Sequence, residues 1–418
     1  MKETKFKNTE IGKIPEEWKM YSIGKDCSVK ARIGWQGLTT SEYLQTGHYG
    51  LITSTDLIEG KVNWDTCVFV SEERYKQDTN IIVKNGDVLV SKDGTIGKVA
   101  VVSNLQYPTT LNSGVFVIRT KNEKITQEGL GLVFISPYFK DFIKRLTAGS
   151  TIVHLYQKDI VNFTFPIPTL PEQHRIASAL TSIDNLISSL GKLIEKKKNI
   201  KQGTMQQLLT GKTRLKGFSE PWVKRKLGDN ATIQRGGSPR PIEAYLTTNR
   251  DGINWIKIGD VRPNDKFIRH TVEKIIPEGI SHSRQVYKGD FILSNSMSFG
   301  RPYILDIDGC IHDGWLVIKD YSNTYDMDFL YYILSSDAVF EQYIAMAAGS
   351  SVKNLNKEKV ANVMLFAPQS LAEQQAIAAI LTKMDDEITA LEAKKTKYEA
   401  IKQGIMQQLL TGKIRLIS

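Results

Sequence analysis

Ile200–Leu215 reads IKQGTMQQLLTGKTRL, and Ile401–Leu416 reads IKQGIMQQLLTGKIRL. The offset is 201 residues, and carrying it back without gaps, Leu170–Leu215 against Leu371–Leu416, gives 25 identities in 46 positions. Shared helical composition does not produce that agreement; the two segments are one structural unit used twice. Between them the likeness is weaker but ordered. Trp18 and Gly24 answer Trp222 and Gly228, Asn85-Gly86-Asp87 answers Lys288-Gly289-Asp290, and Ala148-Gly149-Ser150 answers Ala348-Gly349-Ser350, at offsets of 200 to 204. The chain therefore runs variable domain (1–168), spacer (169–216), variable domain (217–368), spacer (369–418).

Each spacer reads as a long helix. Thr169-Leu-Pro-Glu172 and Ser370-Leu-Ala-Glu373 have the S/T-x-x-E form of a capping box, in which the hydroxyl takes an orphan N–H and the Glu reaches back. Apolar residues follow in alternating steps of four and three: Ile176, Leu180, Ile183, Ile187, Leu190 and Ile194, then Ile377, Leu381, Met384, Ile388 and Leu391. Gly211 and Gly412 stand where a left-handed C′ residue ends a helix. About 40 residues at about 1.5 Å each make a rod on the order of 60 Å. A seam this narrow suits a partner helix better than a globular core, so the expectation is that the two spacers pair antiparallel, with a variable domain at each end and a pseudo-twofold axis between. The competing reading packs each seam on its own domain.

Composition narrows the function class. With 41% hydrophobic and 9% aromatic residues in 418, two or three domains can each bury a core. Lys plus Arg exceed Asp plus Glu by 55 to 45, a net +10 that favours polyanionic partners. The excess is uneven: +3 over 1–169, +6 over 170–216, 0 over 217–369 and +1 over 370–418. Cys27, Cys67 and Cys310 form no CxxC pair, which argues against a disulfide framework or zinc ribbon and for a reducing, cytoplasmic setting. No segment has the eighteen or more apolar residues of a membrane span. HExxH, GxSxG and GxGxxG are absent. Gly211-Lys212-Thr213 imitates the end of a phosphate loop, yet the glycine required five residues earlier is Gln206. Glu195-Lys196-Lys197 imitates a nuclease triplet but sits inside the spacer. Neither a catalytic residue nor a metal site is expected.

The variable domains carry short apolar runs bounded by Gly, Asn and Asp: Asp87–Ser91, Gly114–Thr120, Asn254–Asp260 and Gly314–Lys319 read as strands. Leu132–Leu146 and Asp328–Ala347 read as helices, making each domain mixed α and β, an α+β protein overall. Loops with matching positions in the two halves are the candidate DNA contacts, because Gly lets backbone approach phosphate while Arg, Lys or Gln reads a base edge. The first pair offers Lys30, Arg32 and Gln36 against Gln234, Arg235, Ser238 and Arg240. The second offers Lys92 and Thr95 against Ser294, Asn295 and Ser296, and the third Ser150 and Thr151 against Ser350, Ser351, Lys353 and Asn354. Taken singly, each could equally be a solvated turn.

The domain–spacer–domain–spacer order, Ile-Pro-Glu-Glu-Trp at Ile14–Trp18, Leu-Pro-Glu-Gln at Leu170–Gln173, Leu-Ala-Glu-Gln at Leu371–Gln374 and the repeated Met-Gln-Gln-Leu-Leu-Thr-Gly resemble the specificity subunit of type I restriction-modification systems over nearly the whole chain. The resemblance implies two target recognition domains reading a bipartite, asymmetric sequence in double-stranded DNA, with the paired helices as a ruler for the gap. It implies two docked methyltransferase subunits that methylate adenine with S-adenosylmethionine, and endonuclease subunits that translocate using ATP and Mg; this chain itself would hold no cofactor. Ala372 stands where the first copy has Pro171, so the spacers are close but not interchangeable. A coiled-coil scaffold joining two protein-binding domains is the alternative from another class, separated by whether duplex binding is salt-sensitive and sequence-dependent. An enzyme with a fused methyltransferase lacks both the motifs and the room.

Overall fold

The computed structural model describes residues 4–148, 154–262, 265–295, 299–347 and 355–417. Two compact units emerge, 1–190 with 394–418, and 191–393. Each spacer helix thus contributes one half to each unit.

In the first unit a six-stranded sheet has the order Cys27–Lys30, Val115–Thr120, Val88–Ser91, Val99–Val101, Gly60–Val62, Leu57–Ile58. Its pairs are antiparallel except Val99–Val101 with Gly60–Val62. Alternate side chains of a strand face opposite ways. Val115, Val117 and Leu89 accordingly join a cluster with Ile52 and Leu111 of a three-stranded sheet, while Phe116, Ile118, Val88 and Val90 join Leu130, Phe134, Phe139 and Phe163 on the helical side. Both faces are covered, which is why the Val115–Ile118 run is apolar without alternation.

The second unit repeats the scheme. Thr232–Arg235, Trp315–Lys319, Phe291–Ser294, Pro302–Leu305 and Phe267–Ile268 form a sheet in the equivalent order, again with its fifth strand parallel to its fourth. Leu316, Ile318, Phe291 and Leu293 face the helices, and Val317, Trp315 and Ile292 face a second, five-stranded sheet.

Some expected elements differ. Asn254–Asp260 is a strand only over Ile253–Ile256; Ile258–Asp260 is a 3-10 turn, closed by the Asp260 carboxylate accepting from the Lys257 N–H at 2.8 Å. Leu132–Leu146 is two helices, Gln127–Ile135 and Pro137–Thr147, because Ser136 is extended and Pro137 has no N–H to continue the ladder. Asp328–Ala347 likewise divides into Met327–Leu334 and Asp337–Ala347 around Ser335 and Ser336.

The spacers are helices Leu170–Leu208 and Leu371–Leu409. Gly211 and Gly412, both at φ +70°, turn the chain out of the helix as expected. Within the first unit Ile176 and Leu180 cluster with Leu409 and Leu410; within the second, Ile377 and Leu381 cluster with Leu208 and Leu209. The beginning of one spacer therefore lies against the end of the other in both units, which is antiparallel pairing. Lys402 bonds Asp184 at 2.6 Å in the first unit, and Lys201 bonds Asp385 in the second, equivalent pairs 201 residues apart. Leu190, Ile194 and Ile388 are buried and Ile183, Ile187, Met384 and Leu391 half-buried, whereas Leu186 and Leu193, off the seam, are exposed. The competing reading holds in part: the seam's first turns also touch their own domain, Ile176 sharing a cluster with Leu132 and Ile377 one with Leu330.

The two Glu residues of the expected capping boxes do something else. Ser370 Oγ accepts from the Glu373 N–H at 3.4 Å, but the carboxylates turn away from their own helix ends. Glu172 is fully buried, takes the Arg415 guanidinium at 2.6 and 2.8 Å and accepts the Trp18 indole N–H at 3.1 Å. Glu373 takes Arg214 at 2.7 and 2.8 Å and the Trp222 indole at 3.2 Å. A buried carboxylate is tolerated only when paired and hydrogen-bonded, and here the other spacer's tail supplies the charge. The neighbouring glutamines complete the joint. Gln173 accepts from the Thr126 N–H and donates to the Lys124 and Pro168 carbonyls, and Gln374 repeats this with Asp326, Thr324 and Pro368. The repeated Glu-Gln is thus the fastening of spacer to domain.

Candidate nucleic-acid interface

In the second unit the loops nominated by sequence converge on a residue that was not. Asp313 lies in the turn before the Trp315–Lys319 strand; its carboxylate accepts from Ser238 Oγ at 2.9 Å, meets the His312 ring at 3.0 Å and lies 3.6 Å from the Arg240 guanidinium. Its carbonyl accepts from Asn295 Nδ2 at 3.0 Å and from Arg235 Nε at 3.3 Å. Partial burial works against the charged carboxyl, but the Ser238 hydroxyl, the His312 ring and the two arginines more than offset it and hold its pKa below the ordinary aspartate value. The first loop is further pinned where the Gly236 N–H reaches the Trp315 carbonyl at 2.8 Å and Ser283 Oγ donates to the Gly237 carbonyl at 2.8 Å. What remains at the surface is cationic: Arg235 is exposed, and the Arg240 side chain is 82% exposed. Gln234 is half-buried in the strand, opposite Val317.

The first unit builds the same junction from other residues. The Lys92 N–H donates to the Gly114 carbonyl at 2.9 Å, and the Leu155 N–H to the Lys92 carbonyl at 2.8 Å; Asn295, Gly314 and Leu355 repeat both bonds in the second unit. Asn112 Oδ1 accepts from the Gly114 N–H at 2.7 Å, and His312 Nδ1 does the same for Gly314 at 2.9 Å, so two unlike side chains close one turn. Asp93 bonds His154 at 2.6 Å, tying the second loop to the chain beyond the third. Lys30 and Thr95 are exposed, and the Lys92 ammonium lies 5.4 Å over the Phe116 ring.

Four nominated residues face inward. Arg32 is 1% exposed, donating to the Leu111 and Arg74 carbonyls, Gln77 and Thr110. Gln36, Ser294 and Asn295 are also buried. Ser294 and its counterpart Ser91 accept, through Oγ, the N–H groups of Arg301 and Lys98 and so shape their loops from beneath. A buried polar group must find partners inside the fold, and Arg32, Ser294 and Asn295 have become loop supports, not groups presented to a ligand. Ser150, Thr151, Ser296, Ser350, Ser351, Lys353 and Asn354 lie outside the described residues. The turns at Asn112-Ser-Gly114 and His312-Asp-Gly314 were legible in principle, since each precedes a repeated strand at an offset of 200. Among the described residues no group of three or more His, Cys, Asp or Glu could hold a metal ion, and no helix is long and apolar enough to cross a membrane.

Comparison with known proteins gives this geometry a family. The model of the type I restriction modification DNA specificity domain matches twice, over residues 15–202 and 219–403. A putative type I restriction enzyme specificity subunit, MjaX, of Methanocaldococcus jannaschii is 26% identical over 99% of this chain and 98% of its own length. The MjaVIII specificity subunit of the same organism is 25% identical over 99% and 97%. Among solved structures, a chain from work on complex assembly and conformational transition of a type I R-M system superposes with TM-score 0.61 at 17% identity, over 96% of this chain and 99% of that one. The S subunit from M. genitalium gives 0.56 at 16% identity, over 94% and 96%. With both halves matched, one fastening used twice and unlike loops on like sheets, the chain belongs to the type I restriction-modification DNA specificity family and is its sequence-recognising subunit.

Proposed function

We propose that residues 1–168 and 217–368 read the two unlike halves of a bipartite, asymmetric DNA duplex. The observation that carries this is the duplicated scaffold with divergent tips: equivalent sheets and turns present Lys30, Lys92 and Thr95 in one unit and Arg235, Ser238 and Arg240 in the other. Exposed cations beside backbone-rich loops suit phosphate contact and purine-edge reading. The spacers, shared by both units, set the unread gap and present two equivalent surfaces to two methyltransferase subunits. Those partners carry the chemistry: S-adenosylmethionine-dependent methylation of adenine, with base flipping, and ATP- and Mg-dependent restriction where endonuclease subunits join. This chain contributes recognition and spacing, works in the cytoplasm and holds no cofactor of its own.

Mapping methylated adenines in cells carrying the system, with and without this gene, tests the reading. A bipartite motif that vanishes with the gene is expected; an unchanged methylation pattern would overturn it. Exchanging residues 1–168 for another recognition domain should alter one half-site, and a change at both would exclude modular reading.

A further inference from the structure

Two ion pairs cross between the spacers in the second unit without counterparts at the equivalent positions: Lys197 to Glu387 at 2.7 Å and Lys198 to Glu392 at 2.9 Å. The 201-residue repeat makes their asymmetry explicit. Lys197 and Lys198 correspond to Tyr398 and Glu399, and Glu387 and Glu392 correspond to Leu186 and Gly191. By contrast Lys201–Asp385 and Lys402–Asp184 are copies of each other.

Were a first spacer to pair with a first spacer of another copy in the same register, Lys201–Asp184 would survive, but Lys197 would meet Leu186 and Lys198 would meet Gly191. That pairing would also bring together two segments of charge +6. Were two second spacers to pair, Lys402–Asp385 would survive, but Glu399 would face Glu392. Only first with second satisfies all four positions. The apolar seam, being duplicated, cannot discriminate; charges flanking a seam can. The Glu392 carboxylate holds the Lys198 ammonium above its usual range, and the Lys197 ammonium holds the Glu387 carboxyl below its own.

We infer that Lys197, Lys198, Glu387 and Glu392 form a pairing code that directs the first spacer to the second and away from a further copy of itself. The code is independent of which DNA is read. It suits a chain whose two halves must stay unlike, because self-pairing of one spacer would join two identical recognition domains.

The test uses the full chain. E387K/E392K sets like charges against each other at both contacts of the native pairing, and in a pair of second spacers it turns the repulsion between Glu392 and Glu399 into an attraction. At low salt, light scattering should show a shift toward a two-chain species, with a lower urea midpoint, and the shift should weaken at 1 M salt. Adding K197E/K198E restores opposite charges at both contacts and should return the parent mass and midpoint, including where E387K/E392K fails to fold. An E387K/E392K chain with parent mass and midpoint, or a fourfold variant that does not recover them, would overturn the inference.

Discussion

A single buried carboxylate anchors each end of the spacer pair, and the two anchors are not equally dry. The Arg415 side chain is 6% exposed against Glu172, whereas Arg214 is 28% exposed against Glu373. Removing either cation strands a buried charge, a cost of about 3–5 kcal/mol where water is excluded. Arg415→Ala should therefore destabilise its unit by about 3 kcal/mol and Arg214→Ala by nearer ~2 kcal/mol, read from urea unfolding; the reverse order would show that burial does not set the cost. Asp313 organises its loops at the same scale, through Ser238, Arg235, Asn295 and Arg240. Asp313→Asn keeps a hydrogen bond for Ser238 but loses the charge holding Arg240. Nonspecific duplex affinity should rise while preference for the second half-site falls about tenfold, about 1.4 kcal/mol; equal effects on both half-sites would refute the assignment. The folded pKa of Asp313 is depressed, so its contribution is complete above the ordinary value of about 3.9 and is lost as pH falls through the folded one. Across the neutral range this carboxylate stays charged.

At the scale of elements, the strands were legible because short apolar runs are bounded by Gly, Asn and Asp, two of them opening at Gly-Asp turns, while helix continuity was not. Gly86 and Gly289, at φ +91° and +92°, confirm the repeated turn before the Val88–Ser91 and Phe291–Ser294 strands. Past the breaks at Ser136 and Ser335–Ser336, the second helix of each pair reaches the loop that follows the Val88–Ser91 or Phe291–Ser294 strand, where Gly97 meets Ile143 and Gly300 meets Tyr343. Gly300 shows how close that approach is: at φ +73°, an added Cβ would lie 2.7 Å from the Tyr343 ring. Gly289 has the same kind of backbone with nothing within 4 Å. Gly300→Ala should cost about 1–3 kcal/mol of strain plus the clash, and Gly289→Ala the strain alone; equal thermal shifts would deny the contact. Tyr343 itself is buried, and its hydroxyl has no hydrogen-bond partner among the described residues. Tyr343→Phe should be neutral or stabilise by about 1 kcal/mol in the same thermal assay, because it removes an unsatisfied group.

For the whole molecule, spacing and fastening are coupled. Each unit needs the start of one spacer against the end of the other, with Lys402–Asp184 and Lys201–Asp385 in register. A heptad inserted after Leu190 alone breaks register in one unit; matching insertions in both spacers keep the seam and all pairs. The double insertion should lengthen the gap in the methylated motif and leave both half-sites unchanged, while the single insertion should lower stability. A fixed gap in the double insertion would defeat the ruler.

The repeat, the seam, the helix-ending glycines and the two mixed domains follow from sequence alone, because periodicity and duplication are local patterns that survive without knowing what touches what. The site is different. Arg32 and Arg240 look alike in sequence as arginines of glycine-bearing loops, yet one is spent inside the fold and the other stands in solvent. Glu172 and Glu373 fit a capping rule, but Arg415 and Arg214, more than 150 residues away, offer a buried carboxylate more than a backbone N–H can. Only the tertiary structure decides such contests, since burial and the arrival of a distant charge set which of several permitted hydrogen bonds is made.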